Sequence, residues 1–264
     1  MNKAAILRAI RGERRRTLAL LEGLDASAFE SPTALPGWRV REVVAHLITT
    51  DRASVLGTIL PAAFGGVERL EAWNERHVPK WSGRPVPELL LGLDRWGRRF
   101  ARLAAAIPAP VYRLPISNTW GPSLGAVLWV RAYDEWVHRQ DIRRAMQMPD
   151  DQVDLDDIAE FILLTTGHLT LRRMGGRRGR ILIALTGATV PEWSIDLGAR
   201  TSQATDSPAP TEGPMRVRVS APATDFIMGA AGRDRFEDLE AKGVVVVEGD
   251  RALADEFLSG LLVV

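Results

Sequence analysis

The sequence predicts an α+β protein in two parts, an all-helical bundle over residues 1–176 followed by a small α+β domain over residues 177–264. Three observations carry this. Apolar residues recur at helical spacing through the N-terminal two-thirds of the chain. After Gly175-Gly176 the pattern changes to short apolar runs and strict alternation. The chain has 264 residues, enough for two domains at roughly 100–200 residues each.

The elements follow in order. Ala4 to Leu24 reads as a helix with Leu7, Ile10, Leu18, Leu21 and Leu24 along one stripe. Ser31 to Gly37 is a breaker-rich loop. A second helix follows Trp38, with Val40, Val43, Val44, Leu47 and Ile48 at helical spacing, running to about Leu60 before Pro61 and Gly65-Gly66. Val67 to Arg76 is a short helix. Pro85 and Pro87 introduce another from Glu88 to Ala106, and Pro108 to Pro122 is a long connection. A helix from about Ser123 to Met148 and one from Leu155 to Met174, N-capped by Asp154, complete the bundle. Beyond Gly176, Arg180–Thr186 and Trp193–Leu197 read as strands joined by a turn at Gly187. Ser202 to Pro214 is a polar loop, and Met215–Ser220 alternates as a half-buried strand. Ala223–Ala231 and Ala252–Leu262 read as helices, with Val244–Val247 a buried strand between them.

Composition removes several functional classes. With no cysteine, disulfides, thiolate metal sites and a cysteine nucleophile are excluded. Any metal must be held by imidazole and carboxylate, and any thiol must come from outside the chain. The formal net charge is +1, too small to draw in nucleic acid. The basic clusters Arg8–Arg16 and Arg172–Arg180 read as solvated faces rather than phosphate-binding patches. No apolar run approaches the roughly 18–20 residues that cross a bilayer, and the N-terminus lacks a signal peptide's apolar centre. The expected location is the cytoplasm. No phosphate-binding loop, dinucleotide fingerprint or nucleophile elbow occurs; Gly229-Ala-Ala-Gly232 reads as a helix end.

A tight metal site should therefore recruit at least one, and preferably two, of the four histidines, His46, His77, His138 and His168. Asp134 lies four residues before His138, so both side chains share a helical face one turn apart and can converge on one ion. Asp141, a turn beyond, is placed to orient the imidazole. His46 sits among apolar residues, as expected for a side chain pointing into a bundle. Spacing leaves alternatives open: an Asp–His pair also fits a surface ion pair, and a buried histidine also fits a hydrogen-bonded core residue. Glu135 competes with Asp134 as the carboxylate, pointing about 100° around the helix. His77 reads as surface, and His168 as facing the core or the second domain. Trp120, Trp129 and Trp136 read as bundle packing.

At these residues a resemblance enters. Leu35-Pro-Gly-Trp-Arg-Val-Arg-Glu-Val-Val-Ala-His-Leu47 and Val137-His-Arg-Gln-Asp141 resemble the two histidine motifs of the maleylpyruvate isomerase-like, mycothiol-dependent proteins, which have a DinB-like metal-binding helical bundle. The tail, with Ala223-Thr-Asp-Phe, Gly232-Arg233 and Val247-Glu-Gly-Asp-Arg-Ala-Leu-Ala254, is similar to the sterol-carrier-like C-terminal domain often attached to it. The resemblance implies a DinB-like four-helix bundle followed by a sterol-carrier-like α+β domain. It also implies a zinc ion held by His46, Asp134 and His138. The family usually has glutamate where Asp134 stands, so the carboxylate's reach is shorter by about 1.5 Å.

The activity so implied is that of a zinc-dependent thiol transferase or isomerase, with mycothiol as co-substrate and a small electrophile as the second reactant. The second domain is expected to close over the bundle, with Arg233 and Arg251 as candidates for binding substrate anions. No nucleic-acid or membrane partner is expected. Two rival readings are a carrier of lipid or another small apolar ligand, and a metal-free regulatory or interaction protein.

Overall fold

The computed structural model describes residues 2–58, 67–118, 121–153, 155–205 and 216–261. Pro61, Gly65, Gly66, Trp120, Asp154 and Met215, and most of the expected polar loop, lie outside them. The chain divides into two compact units, Met1–Thr119 with Ser123–Asp151, and Trp120–Pro122 with Gln152–Val264.

In the first unit four long helices form the bundle: α1 (Lys3–Glu22), α2 (Val40–Val55), α5 (Val86–Ala106) and α6 (Leu124–Ala145). Two shorter ones, α3 (Val67–His77) and α4 (Pro79–Ser82), lie between α2 and α5 in sequence. Helix α1 packs on α5 and α6, and α2 packs on α5 and α6. Their starts follow from local chemistry. The Asn2 side chain accepts from the Ala4 amide at 2.9 Å, and Glu42 accepts from the Arg39 amide at 3.0 Å at the head of α2, each satisfying a backbone donor that the first turn leaves unpaired. At α5 the prolines come before or within the first turn, where no amide donor is lost. Leu21, Phe29, Val43, Leu47, Leu89, Leu93 and Ile142 are wholly buried and form the core between α1, α2, α5 and α6.

Helix α2 ends at Val55, short of the expected Leu60. The connection before α6 is not structureless: it contains a 3₁₀ turn at Ala109–Arg113 and the short strands β1 (Pro115–Asn118) and β2 (Gly121–Ser123).

The longer span of the second unit, from Gln152, opens with α7 (Leu155–Arg173). The sequence places this helix in the bundle, with the boundary near Gly176; by its contacts it belongs with the sheet. Helix α7 packs on strands β4 and β5 and on α8. Gly167 allows the approach, since a Cβ there would stand 1.8 Å from Ser202 Oγ on β5. The five-stranded sheet runs β5 (Thr201–Thr205), β4 (Glu192–Asp196), β3 (Arg180–Thr186), β6 (Arg216–Pro222), β7 (Val246–Gly249).

Strands β3 and β6 are parallel, with Ile181 opposite Val217 and Ile183 opposite Val219; the other pairings are antiparallel. Central β3 buries Ile181, Leu182 and Ile183 in succession, as a strand covered on both faces must. In β6, Val217, Val219 and Ala221 are buried and alternate with half-buried neighbours, matching the expected pattern. Helices α8 (Ala223–Ala230), α9 (Phe236–Ala241) and α10 (Arg251–Leu258) complete the unit.

Two expectations are corrected. Ser202–Thr205 belong to a strand, not a loop, because they pair with β4. The strand near Val244–Val247 lies at the sheet edge, where Val246 is 48% exposed, and only the preceding Val245 is buried. Among the described residues no helix is long and apolar enough to cross a membrane.

Candidate metal centre

Helices α2 and α6 bring His46, Asp134 and His138 into one cluster. The imidazole centroids of His46 and His138 stand 4.8 Å apart, edge to face. Asp134 Oδ1 lies 3.5 Å from His46 Nε2 and 3.5 Å from His138 Nε2. One donor atom from each residue falls within 4.8 Å of the other two. Both imidazoles are buried, while about a quarter of the Asp134 side chain is exposed.

The far nitrogens of the two rings are also held. His138 Nδ1 donates to Asp141 Oδ2 at 2.9 Å, and His46 Nδ1 pairs with Asn74 Oδ1 on α3 at 3.1 Å. A carboxylate or amide oxygen can only accept, so the ring proton sits on Nδ1 and the Nε2 lone pair faces the centre. This is the arrangement that ligating histidines require. Trp38 walls the cluster, its ring centroid 5.3 Å from His46 and 6.3 Å from His138. It is placed by a turn in which its amide donates to Leu35 O at 3.0 Å.

Two of the three donor separations match those around a tetrahedral ion. Bonds of about 2.0–2.1 Å to nitrogen and oxygen at tetrahedral angles put neighbouring donors about 3.3–3.4 Å apart, and the two nitrogen–oxygen separations here are 3.5 Å. The electrostatics favour a cation as well. Burial lowers the His46 pKa despite the pull of Asp134, so that ring stays neutral and able to donate a lone pair. Burial works to raise the Asp134 pKa, but positive charge outweighs it, from the imidazoles whenever they are protonated and from the Arg131 guanidinium throughout, and holds the carboxylate well below its ordinary range.

Glu135 points elsewhere. Its two oxygens accept from Arg14 Nε at 2.7 Å and Arg14 Nη2 at 2.6 Å, so of the two neighbouring carboxylates Asp134 alone joins the imidazoles. The shorter aspartate is close enough because α2 and α6 are in direct contact. Asp141, a turn beyond His138, is in contact with its Nδ1.

His77 ends α3, stacked on Trp73 with centroids 4.3 Å apart and its Nδ1 bound to the Trp73 carbonyl at 2.7 Å. His168 lies on α7 in the second unit. Trp129 and Trp136 are buried in the first unit, as bundle packing requires. Arg251 pairs with Glu240 and Asp255, and Arg233 donates to the Ala231 carbonyl at 2.7 Å; both lie in the second unit.

Sequence reasoning missed two things. Asn74, three residues before His77, shows nothing in the sequence that marks its contact with His46. The Arg8–Arg16 cluster is not wholly a solvated face: Glu13 and Arg14 are buried. Arg14 enters a charge network with Asp51, Glu135 and Arg131. A cavity of about 330 Å³ lies against that network, walled by Ile10, Leu18 and Phe100, and its lining includes none of His46, Asp134 and His138.

No curated protein matches the chain. Among solved structures, the crystal structure of the mycothiol-dependent maleylpyruvate isomerase aligns over 94% of this chain and 93% of its own, with 16% identity and a TM-score of 0.59. A mutant of that isomerase with one histidine replaced by alanine aligns over the same shares with 15% identity and a TM-score of 0.58. Sterol carrier protein 2 like 2 from Aedes aegypti aligns over 38% of this chain and 97% of its own, with 17% identity and a TM-score of 0.29. The family model for the mycothiol maleylpyruvate isomerase N-terminal domain matches residues 10–143. That span is half of the chain and contains the whole triad, and the chain therefore belongs to the mycothiol maleylpyruvate isomerase N-terminal domain family.

Proposed function

We propose that the bundle holds one divalent metal ion, zinc before others, on His46 Nε2, His138 Nε2 and Asp134 Oδ1. The site then serves a mycothiol-dependent isomerisation or thiol transfer on a small electrophile. The observation that carries the proposal is the convergence of two Nε2 lone pairs and one ionised oxygen, at separations suited to a single ion, with both Nδ1 atoms already engaged. Family membership supports the choice of thiol, and the absence of cysteine fits a nucleophile supplied from outside.

A zinc ion at this position supplies Lewis acidity, which lowers the pKa of a thiol or polarises a carbonyl. The chain's own residues prepare the site. Asp141 and Asn74 fix the rotation and tautomer of the two rings, so that little reorganisation accompanies binding. Trp38 covers one side of the imidazoles with apolar surface, limiting water there and strengthening electrostatic interaction at the donor atoms. Asp134 brings one negative charge, so two neutral imidazoles and this carboxylate leave a bound divalent ion with net positive charge. Three protein donors would leave at least one coordination position for an incoming group.

Elemental analysis of the purified protein is expected to find about one equivalent of zinc or nickel, lost in His46→Ala. Mycothiol-dependent isomerisation of maleylpyruvate, followed by absorbance, is expected to disappear with it. Wild-type protein that takes up no divalent metal overturns the proposal; loaded protein that is inactive with mycothiol on maleylpyruvate and other small electrophiles overturns the reaction alone.

A further inference from the structure

Asp134 presents only one of its two oxygens to the imidazoles. The other, Oδ2, accepts from Arg131 Nη1, one helical turn earlier on α6. The same guanidinium donates from Nε to Asp51 Oδ1 on α2 at 3.0 Å and places Nη2 3.5 Å from Glu135 Oε2. Arg131 is 7% exposed and Asp51 1%, so these bonds are shielded from solvent and weakly screened.

Arg131 is in turn held from behind. Arg14 on α1 binds Asp51 at 2.6 Å and both oxygens of Glu135, and it donates to the Leu93 carbonyl of α5. Room for it is made at Gly97 of α5, where a Cβ would stand 2.3 Å from Arg14 Nη1. All four long helices of the bundle thus meet in one lattice of charge that ends on Asp134. These five groups comprise two arginines and three carboxylates, which leaves one negative charge in excess.

We infer that Arg131 is a positioning residue for the metal centre: it clamps Asp134 Oδ2, so that Oδ1 alone faces His46 and His138. The inference rests on the metal-site reading above. A planar guanidinium with several donors in fixed directions suits this role, because it bonds Asp134 and Asp51 at once; an ammonium is a point charge and cannot hold both in the same geometry. The clamp also compensates for a short ligand. Aspartate has one torsion fewer than glutamate with which to find the ion, so its orientation must be set by a neighbour.

The test compares wild type with Arg131→Met and Arg131→Lys. Zinc affinity is measured by competition with a chromogenic chelator, and ligand geometry by the visible spectrum of the cobalt(II)-substituted protein. Arg131→Met is expected to bind zinc about 10–100-fold more weakly with altered cobalt bands, while retaining a cooperative unfolding transition. Affinity within twofold of wild type and an unchanged cobalt spectrum overturn the inference. Should Arg131→Met fail to fold, Arg131→Lys decides: a weaker site with shifted bands supports the clamp, and wild-type values overturn it. If wild type itself binds no metal, the metal-site reading fails, an outcome distinct from a loaded wild type with an indifferent Arg131.

Discussion

Among the described residues the bundle contains two clusters of buried charge that are built differently. In one, Arg139 on α6 binds Glu13 of α1 at 2.7 Å and also Asp151, and Glu13 binds Arg16 at 2.7 Å. Two cations meet two carboxylates, and the charges balance. In the other, Arg14 and Arg131 meet Asp51, Glu135 and Asp134, and the surplus carboxylate oxygen is turned toward two imidazole lone pairs. Both clusters are mostly buried, and both tie α1 to α6. The first pairs its charges one for one, although Arg139 Nε finds no hydrogen-bond partner within it, whereas the second keeps one carboxylate in excess, which is where the proposed cation would sit. Burial of charge alone therefore carries no sign of a binding site; the proposal for the second cluster rests on its converging, uncompensated acceptors.

The largest expected effect breaks the balanced cluster. Arg139→Met leaves Glu13 and Asp151 without their shared partner in a position that is 1% exposed. Removing one partner of a buried pair costs about 3–5 kcal/mol. Urea unfolding of metal-free protein is expected to show that loss, with zinc affinity in the folded variant within about twofold of wild type. A similar fall in zinc affinity would show that the two clusters act as one. Next in size, His138→Ala removes a donor from the open cluster. Zinc affinity is expected to fall by more than about 100-fold, beyond the usual effect of removing an outer partner, whereas metal-free stability changes little compared with Arg139→Met. Calorimetric titration with zinc and urea unfolding of the same sample measure both.

How far these clusters could be read from the sequence follows from the range of the interactions. His138, Asp134 and Asp141 share one helix, and helical spacing alone aligns them. His46 is on another helix, and its apolar neighbours predict that it faces inward, but its meeting with His138 depends on how α2 packs against α6. The family resemblance, not periodicity, supplied that link. Asn74 carried no signal, since a single neutral amide beside a histidine and a tryptophan looks like any surface residue. Arg14 was hidden for a different reason: it stands in a run of arginines whose neighbours Arg11 and Arg15 are exposed, and which turn of the helix faces inward is decided by Glu135, 121 residues away.

The fold shows the same limit. Central β3 and alternating β6 announce themselves through local pattern, as do the long helices. The allegiance of α7 does not. Its buried residues lie on several sides, so the apolar pattern names no preferred partner, and only packing at Gly167 and β5 decides. Edge strand β5, Thr-Ser-Gln-Ala-Thr, is polar because little of it is covered, and so it resembles a loop.

A smaller expected effect sharpens the account of the open cluster. Asp141→Asn keeps an oxygen acceptor for His138 Nδ1 but removes the charge that strengthens the bond. Outer partners of ligating histidines contribute about 10–100-fold to metal affinity. The conservative amide is expected near the lower end of that range, measured by chelator competition. An effect as large as that of His138→Ala would mean that Asp141 does more than orient the ring.

The least effect comes from acid, and it acts in opposite senses on the two clusters. Burial lowers the His46 pKa below the ordinary histidine value of about 6.5. Below that value the unfolded chain binds a proton that folded, metal-free protein does not, so the neutral ring's contribution to stability is present above about pH 6.5 and is lost as pH falls toward the folded value. Burial instead raises the Glu13 pKa, against the pull of Arg139 and Arg16. There the folded state takes up its proton first, and its contribution is present below the ordinary glutamate value of about 4.3 and is lost as pH rises through the folded one. Each group contributes at most about 1.4 kcal/mol per pH unit. Urea unfolding of metal-free protein between pH 4 and 8, compared with His46→Gln and Glu13→Gln, isolates the two. Relative to its variant, wild type is expected to lose stability on acidification below about pH 6.5 for His46 and to gain it for Glu13. Slopes of the same sign would show that burial does not set the protonation of the two clusters in the manner their surroundings imply.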